Sequence, residues 1–324
     1  MTRATLALAL SLLSLAAPAA ARDILFAQPI DCTLGQDCYI QQFVDLDPGP
    51  GARDFTCGPL SYDGHKGTDF GLPTQRDLAD GVNVLAAAPG TVRAIRDEMP
   101  DVLYSDETAA MVEGRDCGNG VLITHGDGWE TQYCHLKRGS VTVAPGDRVA
   151  MGAVLGQVGL SGRTQFPHLH LSVRKDGAVI DPFDPDGQVT CGAPSAETLW
   201  LDPPAYRAGG LLSLGFAAAV PDYAEVKAGT AAADRLSPTD PALVLFGLAF
   251  GARQGDVMEI SITGPEGEVI TNRAEIERTQ AQLFRAAGRR TPDGGWPRGR
   301  YDGRVALVRD GAVIDRRETT IDIR

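Results

Sequence analysis

The stretch "PHLHLSVRKDGAVID", residues 167–181, predicts two short β-strands joined by a tight turn at an Asp-Gly dipeptide. Successive side chains of a strand point to opposite faces of the sheet, so Leu169 and Leu171 are expected to enter a core. His168 and His170 then share the opposite face. A strand with leucines on one side and imidazoles on the other indicates a β-sheet whose second face is polar.

The same pattern of short strands and glycine turns extends through residues 65–182. The segment "NVLAAAPGTVRAIRD" (83–97) predicts two strands joined at a Pro-Gly pair, and "GVLITHGDGWETQYCHL" (120–136) predicts a hairpin. The chain has 38 glycines, 21 prolines and only 6% aromatic residues, a composition that favours turn-rich β structure over a helical bundle. We therefore expect an all-β protein.

The composition changes beyond residue 206, where the chain contains neither cysteine nor histidine. Its apolar segments look like strands of a second antiparallel unit, and the pair Trp296 and Tyr301 resembles the closing part of immunoglobulin-like sandwiches. We predict an immunoglobulin-like β-sandwich domain over residues 199–324, with one helical stretch around 275–290.

The first 21 residues have the composition of a secretory signal peptide. Arg3 precedes an apolar run from Ala4 to Ala17, and small residues follow up to Ala21, the expected cleavage point. A membrane anchor is the alternative, but the run is shorter than the roughly 20 residues that span a bilayer. We expect export and a mature chain without a transmembrane anchor, with residues 22–198 as its first domain.

All six cysteines lie in the first two-thirds of the chain. An even number of cysteines in an exported protein indicates disulfide bonds and favours the periplasm as the location. A zinc cluster is the alternative, but the sequence has no C-x2-C pair. We predict that Cys32–Cys38 closes a local loop and that Cys117–Cys134 crosses a hairpin. Cys57–Cys191 then connects the N-terminal segment to the end of the first domain.

The formal net charge is −12, and the acidic residues are spread along the chain. A nucleic-acid-binding surface needs clustered lysines and arginines, which the sequence lacks. Nucleic acid is therefore excluded as an expected partner.

One polar and acidic segment, residues 97–116, has no clear periodicity and predicts a long loop inside the first domain. Loops of this length are usually functional or disordered. We call this segment the insertion and expect it to form a wall beside the functional face.

The five histidines fall within one part of the first domain, and the last 154 residues contain none. Such clustering indicates one polar site rather than histidines scattered through cores and surfaces. One of them, at a hairpin turn, is interpreted as a structural residue or a support for the site. The five are His65, His125 (the residue at the turn), His135, His168 and His170.

The segment "DGHKGTDFGL" contains His65 and Asp69, four residues apart, among glycines that disfavour a helix. On an extended strand these residues share a face with Gly67, whose missing side chain leaves an empty notch with room for a metal ion. Together with "PHLHL", the segment offers nitrogen and oxygen ligands of the kind found in catalytic zinc sites with an open fourth position. A surface turn and two histidines on a solvated face are the alternatives.

The segment "ETQYCHL" supplies a further histidine, His135. Strand alternation predicts that Tyr133 and His135 share one face while Cys134 takes the other. A histidine at this place is a ligand, an acid–base group or a core residue.

Several motifs occur in a fixed order: H-x-G-x-D at 65–69, Y-x-H-L at 133–136, G-D-x-V-x-x-G at 146–152, then S-G at 161–162 and H-L-H at 168–170. In this order they resemble the lysostaphin-type zinc endopeptidases, the M23 or LytM family, over residues 60–195. The resemblance implies a compact, mostly antiparallel β domain with a groove over the sheet. It also implies hydrolysis of peptide bonds in bacterial cell-wall peptidoglycan.

The resemblance assigns roles residue by residue. His65, Asp69 and His170 would hold Zn²⁺, while His135 and His168 would form the catalytic pair. Glycine bridges and D-alanyl-diaminopimelate links are both cleaved in the family, and export to a periplasm favours the latter. The C-terminal domain lies outside the resemblance and is expected to position the enzyme or to recognise a protein partner.

Three other functions remain as alternatives. A non-catalytic LytM-type regulator of cell-wall amidases would have lost ligand positions, whereas this sequence keeps all three ligands and both histidines of the catalytic pair. A metallopeptidase that acts on proteins is the second alternative. A lipoyl- or biotinyl-type carrier, suggested by "GDRVAMGAVLGQVG", needs a lysine at a turn, and no lysine lies between Lys137 and Lys175.

Overall fold

The computed structural model describes residues 24–187, 191 and 197–324. The expected signal peptide, residues 1–21, lies outside the described residues. In the described ranges, no helix combines the length and the apolar character needed to cross a membrane.

The described chain is built almost entirely of β-strands, as predicted from its turns and alternation. Two short α-helices and one turn of 3-10 helix (Gln75–Leu78) accompany them. The strands of the first part are β1 (Tyr39–Gln42), β2 (Thr68–Gly71), β3 (Asn83–Leu85), β4 (Gly90–Arg96), β5 (Asn119–Gly126), β6 (Trp129–Leu136), β7 (Arg148–Val149), β8 (Val154–Gln157), β9 (His168–Lys175) and β10 (Ala178–Val179), with helix α1 (Ala109–Val112) between β4 and β5. The second part contains β11 (Gly210–Ala217), α2 (Tyr223–Ala228), β12 (Ala242–Ala252), β13 (Val257–Gly264), β14 (Gly267–Glu275), β15 (Gln280–Arg290), β16 (Gly299–Arg309) and β17 (Ala312–Ile323).

The first part contains one large antiparallel sheet in the order β1-β2-β9-β6-β5-β4-β7, with β10 paired to β9. A small sheet of β3 and β8 packs beside it. The hydrophobic core lies against one face of the large sheet and contains Phe70, Tyr133, Leu169 and Leu171, each at most 1% exposed. Full burial of such a side chain contributes about 1.5–3 kcal/mol, so the leucines of "PHLHL" hold β9 in the sheet as expected.

The hairpin turns also follow the sequence. β5 and β6 are joined at Asp127, and β9 and β10 are joined at Asp176, both in the left-handed conformation with φ of 46° and 50°. Each aspartate is followed by a glycine that also has positive φ, the geometry that two-residue hairpin turns require. The tight turns therefore fix the strand registers around the polar face.

The second part is a sandwich of two antiparallel sheets, β11-β12-β15 and β14-β13-β16-β17, with a buried apolar core between them. Tyr301, at the start of β16, donates its hydroxyl hydrogen to the carbonyl of Pro297 (2.9 Å), and its ring lies edge-on to Trp296. This tyrosine corner is typical of immunoglobulin-like sandwiches. The predicted sandwich is confirmed. Its fourth strand, β14, pairs with β13 and so belongs to the four-stranded sheet rather than to the sheet of β11, β12 and β15.

The helix predicted around residues 275–290 is wrong. Residues Gln280–Arg290 form β15, which pairs along its whole length with β12. Good helix formers such as alanine, glutamine and arginine dominate this segment, but the strand pairs with β12 and packs Leu283 and Ala287 into the sandwich core. Tertiary pairing therefore overrides the local preference.

All three predicted disulfides are present: Cys32–Cys38, Cys57–Cys191 and Cys117–Cys134. The last of these links the residues just before β5 to the last part of β6, directly beside the polar face of the sheet. A cross-link of this kind stiffens the region in which the histidines cluster.

Candidate active site

The polar face of the large sheet brings three candidate ligands together. Asp69 on β2 and His170 on β9 are direct partners across the antiparallel ladder, and Asp69 Oδ1 lies 2.7 Å from His170 Nδ1. His65, in the turn before β2, places its Nε2 3.2 Å from each of these two atoms. His65 and Asp69 are 3% exposed. The three side chains therefore form a closely spaced, largely buried triangle of donor atoms.

The outer nitrogens of the two imidazoles are occupied by other groups. His65 Nδ1 donates to the backbone carbonyl of Phe43 (2.7 Å), and His170 Nε2 pairs with the hydroxyl of Ser172 (2.9 Å). Such partners fix the orientation of a ligand histidine and leave the other ring nitrogen available to a metal. Here the available nitrogens are the two that face Asp69.

The donor set fits zinc. Two imidazole nitrogens and one carboxylate oxygen lie within 4.8 Å of one another. Zinc bonds of about 2.0–2.1 Å at tetrahedral angles place ligand atoms about 3.3 Å apart, close to the 3.2 Å separations that involve His65. In the described ranges, the other cluster of potential ligands is Cys32, Asp37 and Cys38, whose sulfurs form a disulfide.

Gly67 has a different role from the one expected. A Cβ at this position would lie 2.5 Å from the carbonyl oxygen of Leu171 and 2.6 Å from His170 Nε2. The space predicted as a notch for a metal ion is therefore filled by the His170 ring. The extended conformation expected from residue 65 onwards is also wrong, because β2 begins only at Thr68. Gly67 is required because the neighbouring strand and its imidazole approach the backbone closely.

Electrostatics hold the triangle together. Burial alone would raise the pKa of Asp69, but the imidazoles of His65 and His168 and the hydrogen bond with His170 hold this pKa well below its usual range. Burial lowers the pKa of His65, but the Asp69 carboxylate, the hydrogen bond to the Phe43 carbonyl and the Asp45 carboxylate together raise it above its ordinary value. The Asp69 carboxylate is therefore ionised over the whole physiological range.

His168 lies two residues before His170 on the same face of β9, but it is not part of the triangle. Its Nδ1 donates to the carbonyl of Phe166 and lies 3.0 Å from Thr164 Oγ1. Its Nε2 points towards the triangle at 3.6 Å from Asp69 Oδ1. The imidazole is stacked on the Phe166 ring at a centroid distance of 4.2 Å. His168 is therefore rigidly held beside the three donor atoms.

His135 reaches the same site by a local irregularity of β6. Gly120 pairs with Cys134 and Asn119 with Leu136, which leaves His135 as the extra residue of a β-bulge with φ of +64°. A bulge of this kind redirects one side chain, and the backbone strain it carries is a feature of functional sites.

The bulge corrects the predicted face of His135. Tyr133 is buried in the core, whereas the His135 ring lies 4.6 Å from the ring of His168 on the opposite side of the sheet. The backbone N–H of His135 donates to the carbonyl of Cys117, and its Nδ1 donates to the carbonyl of Ser161, both at 2.8 Å. The two residues therefore do not share a face, because strict alternation fails at the bulge.

Comparison with known proteins accounts for this arrangement of residues. The model of peptidase family M23 matches residues 63–182, the segment that carries all five polar side chains of the site. Residues 63–182 of this chain are therefore a segment of the M23 peptidase type.

Relatives of the M23 segment include named cell-wall proteins. The cell division protein DipM of Caulobacter vibrioides is 32% identical over 121 residues, which cover 36% of this chain and 18% of that protein. The DD-carboxypeptidase/endopeptidase Mpg of Neisseria meningitidis is 37% identical over 91 residues, covering 28% and 19% of the two chains. The peptidoglycan DD-endopeptidase ShyA of Vibrio cholerae is 28% identical over 133 residues, covering 41% and 25%. The chain thus spans a quarter or less of the length of these relatives.

Two solved structures are also similar to the chain. The catalytic domain of the M23 protein EnpA from Enterococcus faecalis is 24% identical with a TM-score of 0.32, covering 50% of this chain and 96% of that one. The catalytic domain of lysostaphin from Staphylococcus simulans is 23% identical with a TM-score of 0.26, covering 42% and 86%.

Both histidines beside the triangle of the M23 site have lowered pKa values. Burial lowers the pKa of His135 well below its ordinary value, and the neighbouring imidazoles of His168 and His170 lower it further. Burial also lowers the pKa of His168, although the Asp69 carboxylate partly opposes this effect. Both rings are therefore neutral at pH 7, the state in which an imidazole accepts a proton.

His125 lies outside the M23 site, as interpreted from its position at a hairpin. Its Nδ1 donates to the carbonyl of Pro89 and its Nε2 pairs with Thr131 Oγ1, both at 2.8 Å. The side chain of His125 thus connects two strands and has a structural role.

The insertion is attached to the loops of the M23 segment that flank His135 and His168. The Asp101 carboxylate accepts the N–H groups of Leu160 (2.8 Å) and Arg138 (2.9 Å). The N–H of Tyr104 donates to the carbonyl of Thr164 (2.8 Å). A long polar loop is therefore observed, with one helical turn within it, and it is fixed to the domain by hydrogen bonds of the Asp101 carboxylate and of the Tyr104 backbone.

Sequence reasoning missed the residues that orient the histidines of the M23 domain. Phe43, Thr164, Phe166 and Ser172 had no assigned role, and Ser161 was noted only as part of a motif. Sequence spacing could have identified two of them, because Thr164 lies four residues before His168 and Ser172 lies two residues after His170. The carbonyl partners give no signal, since every residue has a backbone carbonyl.

Proposed function

We propose that this chain is an exported, zinc-dependent endopeptidase that hydrolyses peptide bonds in bacterial peptidoglycan. The observation that carries the proposal is the convergence of His65, Asp69 and His170 in a triangle, with two neutral imidazoles beside it. A catalytic zinc site has three protein ligands and an open position, which is the number of donors that this site offers.

The five side chains divide into two groups with different tasks. His65, Asp69 and His170 are the proposed ligands, and a zinc ion held by them would supply Lewis-acid polarisation of a water molecule and of the scissile carbonyl. His135 and His168 are the proposed catalytic pair. A neutral imidazole accepts a proton from the attacking water and returns it to the leaving amine. The other imidazole would stabilise the developing oxyanion by a hydrogen bond from Nε2 when that nitrogen carries a proton.

The proposed substrate is the D-alanyl-diaminopimelate cross-link. The names of two relatives, a DD-carboxypeptidase/endopeptidase and a peptidoglycan DD-endopeptidase, support peptidoglycan peptides as the substrate class. The three disulfides support an exported protein, because disulfides persist in oxidising compartments such as the periplasm.

We also propose a division of labour along the chain. Residues 22–198 act as the peptidase domain, residues 199–324 position it or recognise a partner, and the insertion contributes a wall of the groove. A non-catalytic regulator of amidases is disfavoured, because all five catalytic-site side chains are present and converge.

Digestion of purified peptidoglycan, with mass spectrometry of the products, tests the proposal. Wild type should release peptides cut at the D-alanyl-diaminopimelate bond and should contain about one zinc ion per chain. His170→Ala should lose both properties, whereas His125→Gln, a change in a histidine outside the site, should keep both. Undiminished cleavage by His170→Ala contradicts the metal assignment, and cleavage of casein in place of peptidoglycan favours a protein substrate.

A further inference from the structure

The position of His135 depends on two chain segments that lie against each other. One is the end of β6 with the residues directly after it, and the other is the loop 159–164 between β8 and β9. The N–H of Gly159 donates to the carbonyl of His135 (2.9 Å), and the carbonyl of Ser161 accepts a hydrogen bond from His135 Nδ1 (2.8 Å). A shift between the two segments would therefore turn or displace the imidazole.

The carboxylate of Asp101, a residue of the insertion, bridges these segments. Its Oδ2 accepts the N–H of Arg138 (2.9 Å), and its Oδ1 accepts the N–H of Leu160 (2.8 Å). Arg138 lies three residues after His135, and Leu160 lies directly before Ser161. Hydrogen bonds to a carboxylate are stronger than those between neutral groups. One side chain thus joins the backbone beside His135 to the backbone beside its hydrogen-bond acceptor.

The contact between the two segments is tightly packed around this carboxylate. A Cβ on Gly159 would lie 2.4 Å from the backbone N and Cα of Lys137 and 2.5 Å from Asp101 Oδ1. Leu136 and Val158 form an antiparallel bridge beside it. Backbone packed this closely transmits a displacement from one segment to the other.

The insertion also reaches the loop that holds His168. The N–H of Tyr104 donates to the carbonyl of Thr164 (2.8 Å), and Thr164 Oγ1 lies 3.0 Å from His168 Nδ1. This second contact uses backbone atoms of the insertion, whereas the contact of Asp101 uses a side chain. Asp101 is therefore the residue whose replacement separates the insertion from the support of His135.

We propose that Asp101 is a positioning residue for the catalytic step, which fixes the direction of the His135 ring through the backbone of Arg138 and Leu160. The inference rests on the proposed function and adds a role for the insertion besides that of a wall. A misplacement of about 1 Å in a reacting group costs up to 100-fold in rate. Asp101 is exposed, so its replacement leaves no cavity in the hydrophobic core.

Kinetics and zinc content of Asp101 variants test this role at a temperature at which all variants are folded. Asp101→Ala removes both acceptor oxygens and should lower kcat on peptidoglycan peptides roughly ten-fold, with KM changed less than two-fold and zinc content unchanged. Asp101→Asn keeps one acceptor oxygen and should have an intermediate kcat. The matched control is Asp106→Ala, a change in another exposed aspartate of the insertion, which should behave like wild type.

The tautomer of His135 tests the same role without cleavage. A carbonyl only accepts hydrogen bonds, so the contact with Ser161 requires the proton of His135 on Nδ1. Nitrogen NMR of the full chain with isotope-labelled histidine should show this single tautomer in wild type and in Asp106→Ala. Asp101→Ala should show both tautomers of His135, because the Ser161 carbonyl is no longer held in place.

Three results would each overturn the positioning role. They are a wild-type kcat in Asp101→Ala, an unchanged tautomer of His135 in that variant, and a parallel loss of zinc and kcat, which indicates general loosening of the site. Wild type that leaves peptidoglycan uncut, while Asp101→Ala still changes the tautomer, contradicts the proposed function and not the positioning of His135.

Discussion

Asp69 and His170 are direct partners across the β2–β9 ladder, with Asp69 Oδ1 2.7 Å from His170 Nδ1. Two of the three proposed zinc ligands are therefore positioned by backbone pairing, and His65 is positioned by its hydrogen bond to the carbonyl of Phe43. Asp69 is the only proposed ligand that carries a negative charge, which makes it the most informative ligand to change.

Asp69→Ala should lower zinc affinity by roughly 100-fold or more, because the change removes a ligand and leaves two imidazoles without their buried counter-charge. Zinc content after competition with a chelator measures the effect. Asp69→Asn keeps the shape of the side chain and should lose nearly as much affinity, since a neutral amide oxygen is a poor zinc ligand. Full zinc occupancy in Asp69→Ala contradicts the assignment.

Gly67→Ala should disturb His170 without changing any ligand. The added methyl group would meet the Leu171 carbonyl at 2.5 Å and the His170 ring at 2.6 Å, so the imidazole or the strand has to move. Overpacking of this kind costs about 1–3 kcal/mol. We expect a lower Tm and reduced zinc content.

Gly294→Ala provides the matched control for Gly67→Ala, because a Cβ at Gly294 has no neighbour within 4 Å. This variant should keep the wild-type Tm and zinc content. If Gly67→Ala behaves like Gly294→Ala, the close approach of His170 to the backbone is not required for the site.

Loss of the Cys117–Cys134 disulfide should lower kcat more than it lowers the zinc content. The carbonyl of Cys117 accepts the backbone N–H of His135, which helps to hold His135 at φ of +64°. Cys117→Ser/Cys134→Ser should therefore lower kcat roughly ten-fold or more, because a displaced acid–base group costs catalysis, while the ligands stay in place. Kinetics and zinc content, measured on the same preparations, separate the two effects.

Cys32→Ser/Cys38→Ser removes a local disulfide away from the proposed catalytic pair and serves as the control. Both double variants should lose thermal stability, since a disulfide of this loop length stabilises by about 2–4 kcal/mol. Only the Cys117/Cys134 variant should lose kcat at a temperature where both remain folded. An equal loss of kcat in the two variants would mean that His135 is held without the help of the disulfide.

The direction of a side chain can be predicted from the sequence where the residue lies in a regular strand, because successive side chains alternate between the two faces. It cannot be predicted where the backbone is irregular. Leu169, His168 and His170 lie as predicted because β9 is a regular strand. His135 does not, since its direction depends on an unpaired residue with positive φ, and that conformation is stabilised by hydrogen bonds from distant parts of the chain. The space beside Gly67 was misinterpreted for a similar reason, because only the tertiary structure shows which side chain fills it.

Neutral His135 and His168 predict an acid limit of activity below the ordinary histidine pKa. Burial lowers the pKa of both rings, so they remain proton acceptors as the pH falls through about 6.5. We expect kcat/KM to be flat from about pH 8 down to pH 6.5 and to fall only at lower pH. Zinc content must be measured at each pH, because protonation of the ligand histidines releases metal and gives a separate acid limb.

The lowered pKa values of His135 and His168 also predict how the free energy of unfolding depends on pH. A histidine with a lowered folded-state pKa binds fewer protons in the folded state than in the unfolded state, so the free energy of unfolding decreases as the pH falls below about 6.5. His125 has a pKa lowered by burial as well and lies outside the site. His125→Gln should therefore weaken the pH dependence of stability while leaving the pH profile of kcat/KM unchanged. A wild-type acid limb at or above pH 6.5, with zinc fully retained, would show that neither His135 nor His168 acts as the buried neutral base.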